Sequence, residues 1–129
     1  MLPFTVELKP GIPIANQILY AVKKAVVSGQ MAAGTRFPSV RQLSQELRIN
    51  PNTAHKIAMQ LVAEGVLTTT PGVGSVVAEH RPAEPRERAE LLGGTVEQLV
   101  VEAKNLGVPL EDVQSSVDAH WRRLGGDSK

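Results

Sequence analysis

The sequence predicts a mainly α-helical chain with one small β-hairpin, and three observations lead there. Apolar residues recur at three- and four-residue spacing through residues 13–64, and again from residue 89 onward. Between these blocks lies "VLTTTPGVGSVVA", rich in threonine and valine and broken by Pro71-Gly72. The composition, 42% hydrophobic but only 3% aromatic over 129 residues, allows a modest aliphatic core: one small domain, with or without an appendage.

The first helix covers residues 13–29. Pro13 suits a first turn, where its missing N–H is not needed. Ile14, Ile18, Val22, Ala25 and Val26 form its apolar face, and Ser28-Gly29 stops it. "AAGTRFP" is expected to be a loop. Ser39 opens the second helix, and Ser39 with Gln42 has the spacing of a capping box. Val40, Leu43 and Leu47 give this helix a short apolar stripe as far as about Arg48. In "LRINPNTAHKIAMQL" the pattern breaks and resumes at once. A proline disfavours the helical region for the residue before it and fits the first turn of a new helix. Asn50 therefore caps and Pro51 starts a third helix, which runs to Glu64 on Ala54, Ile57, Ala58, Leu61 and Val62. Gly65 is a good terminator.

The hairpin is expected as a strand over about 66–70, a turn over 71–74 and a strand over 75–78. "HRPAEPRE" is a linker. Ala89, Leu92, Val96, Leu99, Ala103 and Leu106 then fit one helix face. Gly93-Gly94 should kink that helix or weaken it by about 1 kcal/mol per glycine. Gly107 and Pro109 end it, and Leu110, Val113, Val117, Trp121 and Leu124 make a last amphipathic helix.

Two short helices joined by "RIN" and followed by a hairpin make a winged helix-turn-helix over residues 1–80. Residues 81–129 become a linker and a two-helix dimerisation tail. In this arrangement the second helix of the pair enters the major groove of DNA by its N-terminal residues. Asn52, Thr53, His55 and Lys56 occupy that end. Asn52, Thr53 and His55 are candidates for base edges, where asparagine can pair with adenine in bidentate fashion. Arg41 lies in the first turn of the second helix, where the helix dipole disfavours a cation. A DNA phosphate would remove that penalty, with Lys56 and the backbone amides of Ser39 and Gly72 as further contacts. Arg36 and Arg48 add charge nearby. The wing tip itself has little cationic charge, so backbone contact is expected there rather than a groove-inserting arginine.

The charge distribution agrees with this division. Residues 1–81 carry eight Lys or Arg against four Asp or Glu, whereas residues 82–129 carry six against nine. The basic half suits a polyanion and the acidic tail a position away from it. Other chemistries find no support in the residues. Cysteine is absent, which removes disulfides and thiolate metal sites and fits a reducing cytoplasm. His55, His80 and His120 lack metal-ligand spacing. No serine has a base and an orienting group nearby, so no catalytic residue is assigned and no cofactor is expected. Gly72-Val73-Gly74 lacks the third glycine and the strand-to-helix context of a dinucleotide site. No apolar run is long enough to span a membrane, and "MLPFTVELKPG" is unlike a secretory signal.

The stretch "GTRFPSVRQLSQELRINPNTAHKIAMQLVAEGVLTTTPGVGSVV" resembles the N-terminal domain of the GntR family of bacterial transcription regulators. Gly34, Pro38-Ser39, Arg41, Leu43, Leu47, Asn52-Thr53, Leu61, Glu64-Gly65 and Gly72-x-Gly74 occur in the family's order and spacing, over about residues 5–78. "NPNT" and the short tail are similar to the YtrA-type subfamily. The resemblance implies a homodimeric DNA-binding repressor. It implies DNA contacts from Arg41, from Asn50, Asn52, Thr53, His55 and Lys56, and from Gly72 at the minor groove. Phe37 stands where the family usually has leucine, and "HKIAMQL" lacks its frequent arginine-alanine-tyrosine run.

The expected partners are therefore double-stranded DNA and a second copy of the chain, held through residues 86–124. An unidentified small-molecule effector is a third. Two other readings remain compatible with the residues: a winged-helix module that binds protein rather than DNA, and a ligand-gated regulator with its site at the dimer interface.

Overall fold

In the computed structural model, residues 1–80 and 82–125 are described. The elements are α1 (Ile14–Val27), α2 (Val40–Leu47), α3 (Pro51–Ala63), β1 (Leu67–Thr70), β2 (Gly74–Val77), α4 (Pro85–Glu90), α5 (Val96–Leu106) and α6 (Leu110–Gly125). A π-helical turn, Leu91–Thr95, joins α4 to α5. Contacts divide the chain into two compact units, Met1–His80 and Arg81–Lys129.

The first unit is built around the apolar faces of α1, α2 and α3. Ile18, Val22, Leu43, Ile57 and Leu61 are fully buried, together with Met31 and the hairpin residues Leu67 and Val77. Each such side chain contributes about 1.5–3 kcal/mol through removal from water. The buried stripe of α1 is Ile18, Ala21, Val22 and Ala25. Ile14, expected on that face, is 44% exposed.

Phe37 has a specific neighbour. Its ring stacks on Phe4, with centroids 6.0 Å apart and planes 2° from parallel. Both rings are buried, so the N-terminal arm is part of this core. The arm is also clasped from α1. The Lys9 amide donates to Gln17 Oε1 at 2.7 Å, and Gln17 Nε2 lies 2.9 Å from both the Lys9 and the Ile12 carbonyls.

The segment expected as a loop extends the sheet. β1 and β2 pair antiparallel, Leu67 opposite Val77 and Thr70 opposite Gly74. On the other edge of β2, Gly34 N donates to Val77 O, Val77 N to Thr35 O and Phe37 N to Ser75 O, at 2.8–2.9 Å. Arg36 and Val76 form the antiparallel bridge. Residues 34–37 thus act as a short third strand.

In the second unit, the helix does not break at Gly93-Gly94. It continues through the π-helical turn, a wider hydrogen-bonding pattern that keeps the chain helical where the glycines weaken it. The Glu84 amide donates to Glu87 Oε1 at 2.9 Å and starts α4. Gly107 ends α5 in the left-handed region at φ 75°, and the Val108 amide closes the end on Ala103 O at 2.9 Å. Among the described residues from 82 to 125, none is buried. Leu99 is 45% exposed, and Leu110 and Trp121 are each 66% exposed.

Candidate nucleic-acid interface

The first turn of α3 forms as the proline rule requires. Asn50 is in the extended region, its Oδ1 accepts the Asn52 amide at 2.7 Å, and Pro51 occupies the first helical position. Ala54, Ile57, Ala58 and Leu61 bury the opposite face. Asn50, Asn52, His55 and Lys56 are exposed and Thr53 is half-buried. The cap takes up Asn50 Oδ1 but leaves the Asn52 side chain free of that role. Met59, 46% exposed, continues the same outward strip one turn on. Its spacing from His55 and Lys56 was the signal that could have found it.

The turn before α3 is held by a residue that sequence reasoning missed. Arg48 adopts the left-handed conformation, φ 56° and ψ 49°, and its amide donates to Ser44 O. The Ile49 amide donates to the same carbonyl at 3.1 Å. Ser44 Oγ then donates to the Ile49 carbonyl at 2.7 Å. Ser44 thereby fixes the turn from α2 to α3.

At the start of α2, Ser39 Oγ accepts the Gln42 amide at 3.1 Å. The reciprocal half of the expected capping box does not form. The Gln42 side chain turns instead along the helix, where its Nε2 donates to Glu46 Oε2 at 2.9 Å, a charge-assisted bond. Arg41 is exposed in that first turn, which contains no acidic residue.

The wing tip is a tight turn. The Val73 amide donates to Thr70 O at 3.0 Å, with Pro71 second and Gly72 third at φ 78°, the residue pattern of a type II turn. A Cβ at Gly72 would meet nothing within 4 Å, so the positive φ, not crowding, favours glycine there. Arg36 departs from the expectation of a tip with little cationic charge. Its Nη2 donates to the Val73 carbonyl at 3.1 Å, which brings a guanidinium to the wing.

Ser39, Arg36, Gln42 and the wing residues Val73, Gly74 and Ser75 line one open groove of about 610 Å³, floored in part by Phe37 and Ala58. Arg41, Asn50, Asn52, Thr53, His55, Lys56 and Gly72 do not line it. Among the described residues, no cluster of three or more His, Asp or Glu could hold a metal ion. No helix of the described chain is long and apolar enough to cross a membrane.

Comparison with known proteins places this architecture. The model of "Bacterial regulatory proteins, gntR family" matches residues 14–77, from the start of α1 to the end of β2. The transcriptional repressor YtrA of Bacillus subtilis is 31% identical over 107 residues, covering 82% of each chain. A solved structure described as a transcriptional antiterminator from Listeria monocytogenes EGD-e superposes with a TM-score of 0.83 at 28% identity, covering 98% of this chain and 96% of that one. The DNA-binding domain of AraR, solved with its operator ORX1, shares the fold of the first unit, with a TM-score of 0.50 at 22% identity over 57% of this chain and 93% of that one. The YtrA similarity runs well past the winged domain into the tail, so family and tail type agree, and the chain belongs to the gntR family of bacterial regulatory proteins.

Proposed function

We propose that this chain is a cytoplasmic, homodimeric repressor that binds a palindromic operator. The observation that carries the reading is the first turn of α3. Asn50, Asn52, His55 and Lys56 are uncovered there while Ala54, Ile57, Ala58 and Leu61 anchor the helix behind them. A helix held in this way can enter the major groove. Asn52, Thr53 and His55 would read base edges. Arg41, Lys56 and the amides of Ser39 and Gly72 would hold phosphates. Family membership, the repressor role in YtrA's name and the operator complex of AraR support DNA as the partner.

The tail supports dimerisation. Its helices leave Leu99, Leu106, Leu110, Val117 and Trp121 open to water in the single chain. Two copies can bury these faces as a helical bundle, and the two-fold axis would present two α3 helices about one DNA turn, or a multiple, apart.

The test is selection of random duplexes by the purified protein, followed by titration of the enriched sequence and sedimentation of the complex. A palindromic site bound by two chains is expected. A protein that enriches no sequence and binds no duplex at low salt would overturn the proposal.

A further inference from the structure

We propose that Arg36 is the cation of the wing and reads the minor groove beside α3's major-groove site. This rests on the DNA-binding reading above and assigns a specificity residue within it. Residues 66–78, the whole hairpin, contain no Lys, Arg, Asp or Glu. The charge comes from outside it. Residues 34–37 pair with β2, and Arg36 sits in that third strand opposite Val76. From there its Nη2 reaches the Val73 carbonyl at the tip, 3.1 Å away.

The bond fixes where the guanidinium is, and it uses one of five N–H donors. The residue is exposed, and among the described residues no acidic group forms a salt bridge to it. A side chain of this kind is suited to a narrow groove. A narrow minor groove concentrates negative potential, which draws arginine into it, and A·T tracts narrow the groove most. Gly72 and Gly74, without side chains, let the backbone of the turn approach closely. Arg36 held on Val73 O arrives already ordered, so less rotamer freedom is lost on binding than for a free side chain.

The competing role is purely structural, a clamp on the tip. Arg36→Gln, two bonds too short to reach Val73 O, loses both the charge and the clamp, whereas Arg36→Lys keeps a charge and a donor; the two together with the melting of each variant separate the roles. Binding of the full chain to its selected duplex is measured against salt, with A-tract or G·C flanks under the wing. Thermal melting of each variant monitors the fold. Wild-type protein is expected to favour the A-tract flanks several-fold. Arg36→Gln and Arg36→Ala should reduce that preference towards one and lower the salt slope by about 0.9 per chain. Arg36→Lys should keep most of the slope. Wild-type slope and flank preference in Arg36→Gln would overturn the assignment, as would a lowered slope with flank preference unchanged, which means a phosphate contact only. Failure of the wild-type chain to bind any duplex would instead overturn the DNA-binding reading and this one with it.

Discussion

Ser44 and Ile49 are bonded to each other twice across the turn between α2 and α3. The Ser44 hydroxyl donates to the Ile49 carbonyl at 2.7 Å, and the Ile49 amide donates to the Ser44 carbonyl at 3.1 Å. The pair sets the direction in which α3 leaves α2. Alanine at position 44 removes the hydroxyl bond and keeps the main-chain one. Ser44→Ala should therefore cost about 1 kcal/mol, the usual net value of such a bond. Urea unfolding should show the loss. DNA affinity should fall as well, although Ser44 lies in no proposed contact, because the angle of α3 loosens.

Arg48 is the non-glycine residue with positive φ among those described, at 56°. The left-handed region costs an L residue about 1–2 kcal/mol, part of which glycine's greater unfolded-state freedom offsets. Arg48→Gly should stabilise the first unit by up to about 1 kcal/mol. Thermal melting checks this. Base preference of the selected site should be unchanged, because position 48 precedes the helix end proposed to enter the groove. A melting temperature below that of the wild type would mean that the arginine side chain makes contacts the turn depends on.

What was legible in advance was local. The cap at Asn50 and the start at Pro51 follow from steric rules acting over two residues, and both appear in the structure. The hairpin turn needs only Pro71-Gly72. The short strand at residues 34–37 was not legible, because its pairing with Ser75–Val77 is nonlocal and "AAGTRFP" carries the composition of a loop. For the same reason Arg36 could not be assigned to the wing. The partnership of Phe4 with Phe37 lies 33 positions apart and has no periodic signature. Gly93-Gly94 signalled a weak point, but a shift in hydrogen-bonding register is a cooperative choice of the whole turn. In the candidate site, exposure of the first turn of α3 follows from its apolar stripe. The cap that takes up the Asn50 oxygen follows from the same proline rule, and it leaves Asn52 as the free asparagine.

That difference between the two asparagines makes Asn52 the informative substitution. The cap uses the main-chain amide of Asn52 and not its side chain. Asn52→Ala should leave the melting temperature nearly unchanged. It should relax preference at one base pair by about 1–3 kcal/mol. Arg41→Ala should behave differently, weakening all sequences alike and lowering the salt slope by about 0.9 per chain. Titrations of matched and single-mismatch duplexes at several salt concentrations separate these patterns. Asn50→Ala, in contrast, should destabilise the fold by about 1 kcal/mol through loss of the cap.

Glu64, at the end of α3, ties this helix to α1. Partial burial raises its carboxyl pKa, but hydrogen bonds from Gln60 and Lys23 and the Lys23 charge outweigh it, and the net shift is downward. Gln60 Nε2 lies 2.6 Å from Glu64 Oε2, and Lys23 Nζ pairs with Oε1. A carboxyl with a lowered folded-state pKa gives stability that is complete above its unfolded value. That stability is lost as pH falls from the unfolded value through the folded one. The contribution should be below about 1 kcal/mol, since the pair is largely solvated. Glu64→Gln should match the wild type in acid and be slightly less stable at neutral pH, measured by urea unfolding. Equal pH dependence in both proteins would remove Glu64 from the account.

The tail gives the sharpest separation between fold and assembly. Leu99 and Trp121 are 45% and 66% exposed in the single chain. Replacing either by aspartate leaves no cavity behind and should not melt the first unit. In the proposed dimer both would be buried, and an aspartate there would be an unpaired charge. Loss of a buried tryptophan at an interface centre costs about 2 kcal/mol or more, roughly a thirtyfold weaker dimer. Leu99→Asp and Trp121→Asp should therefore shift sedimentation towards the monomer. Affinity for the full palindrome should fall with it, while affinity for an isolated half-site stays at the wild-type value, because each winged domain remains intact. A variant that stays dimeric with wild-type operator affinity would place the assembly surface elsewhere on the chain.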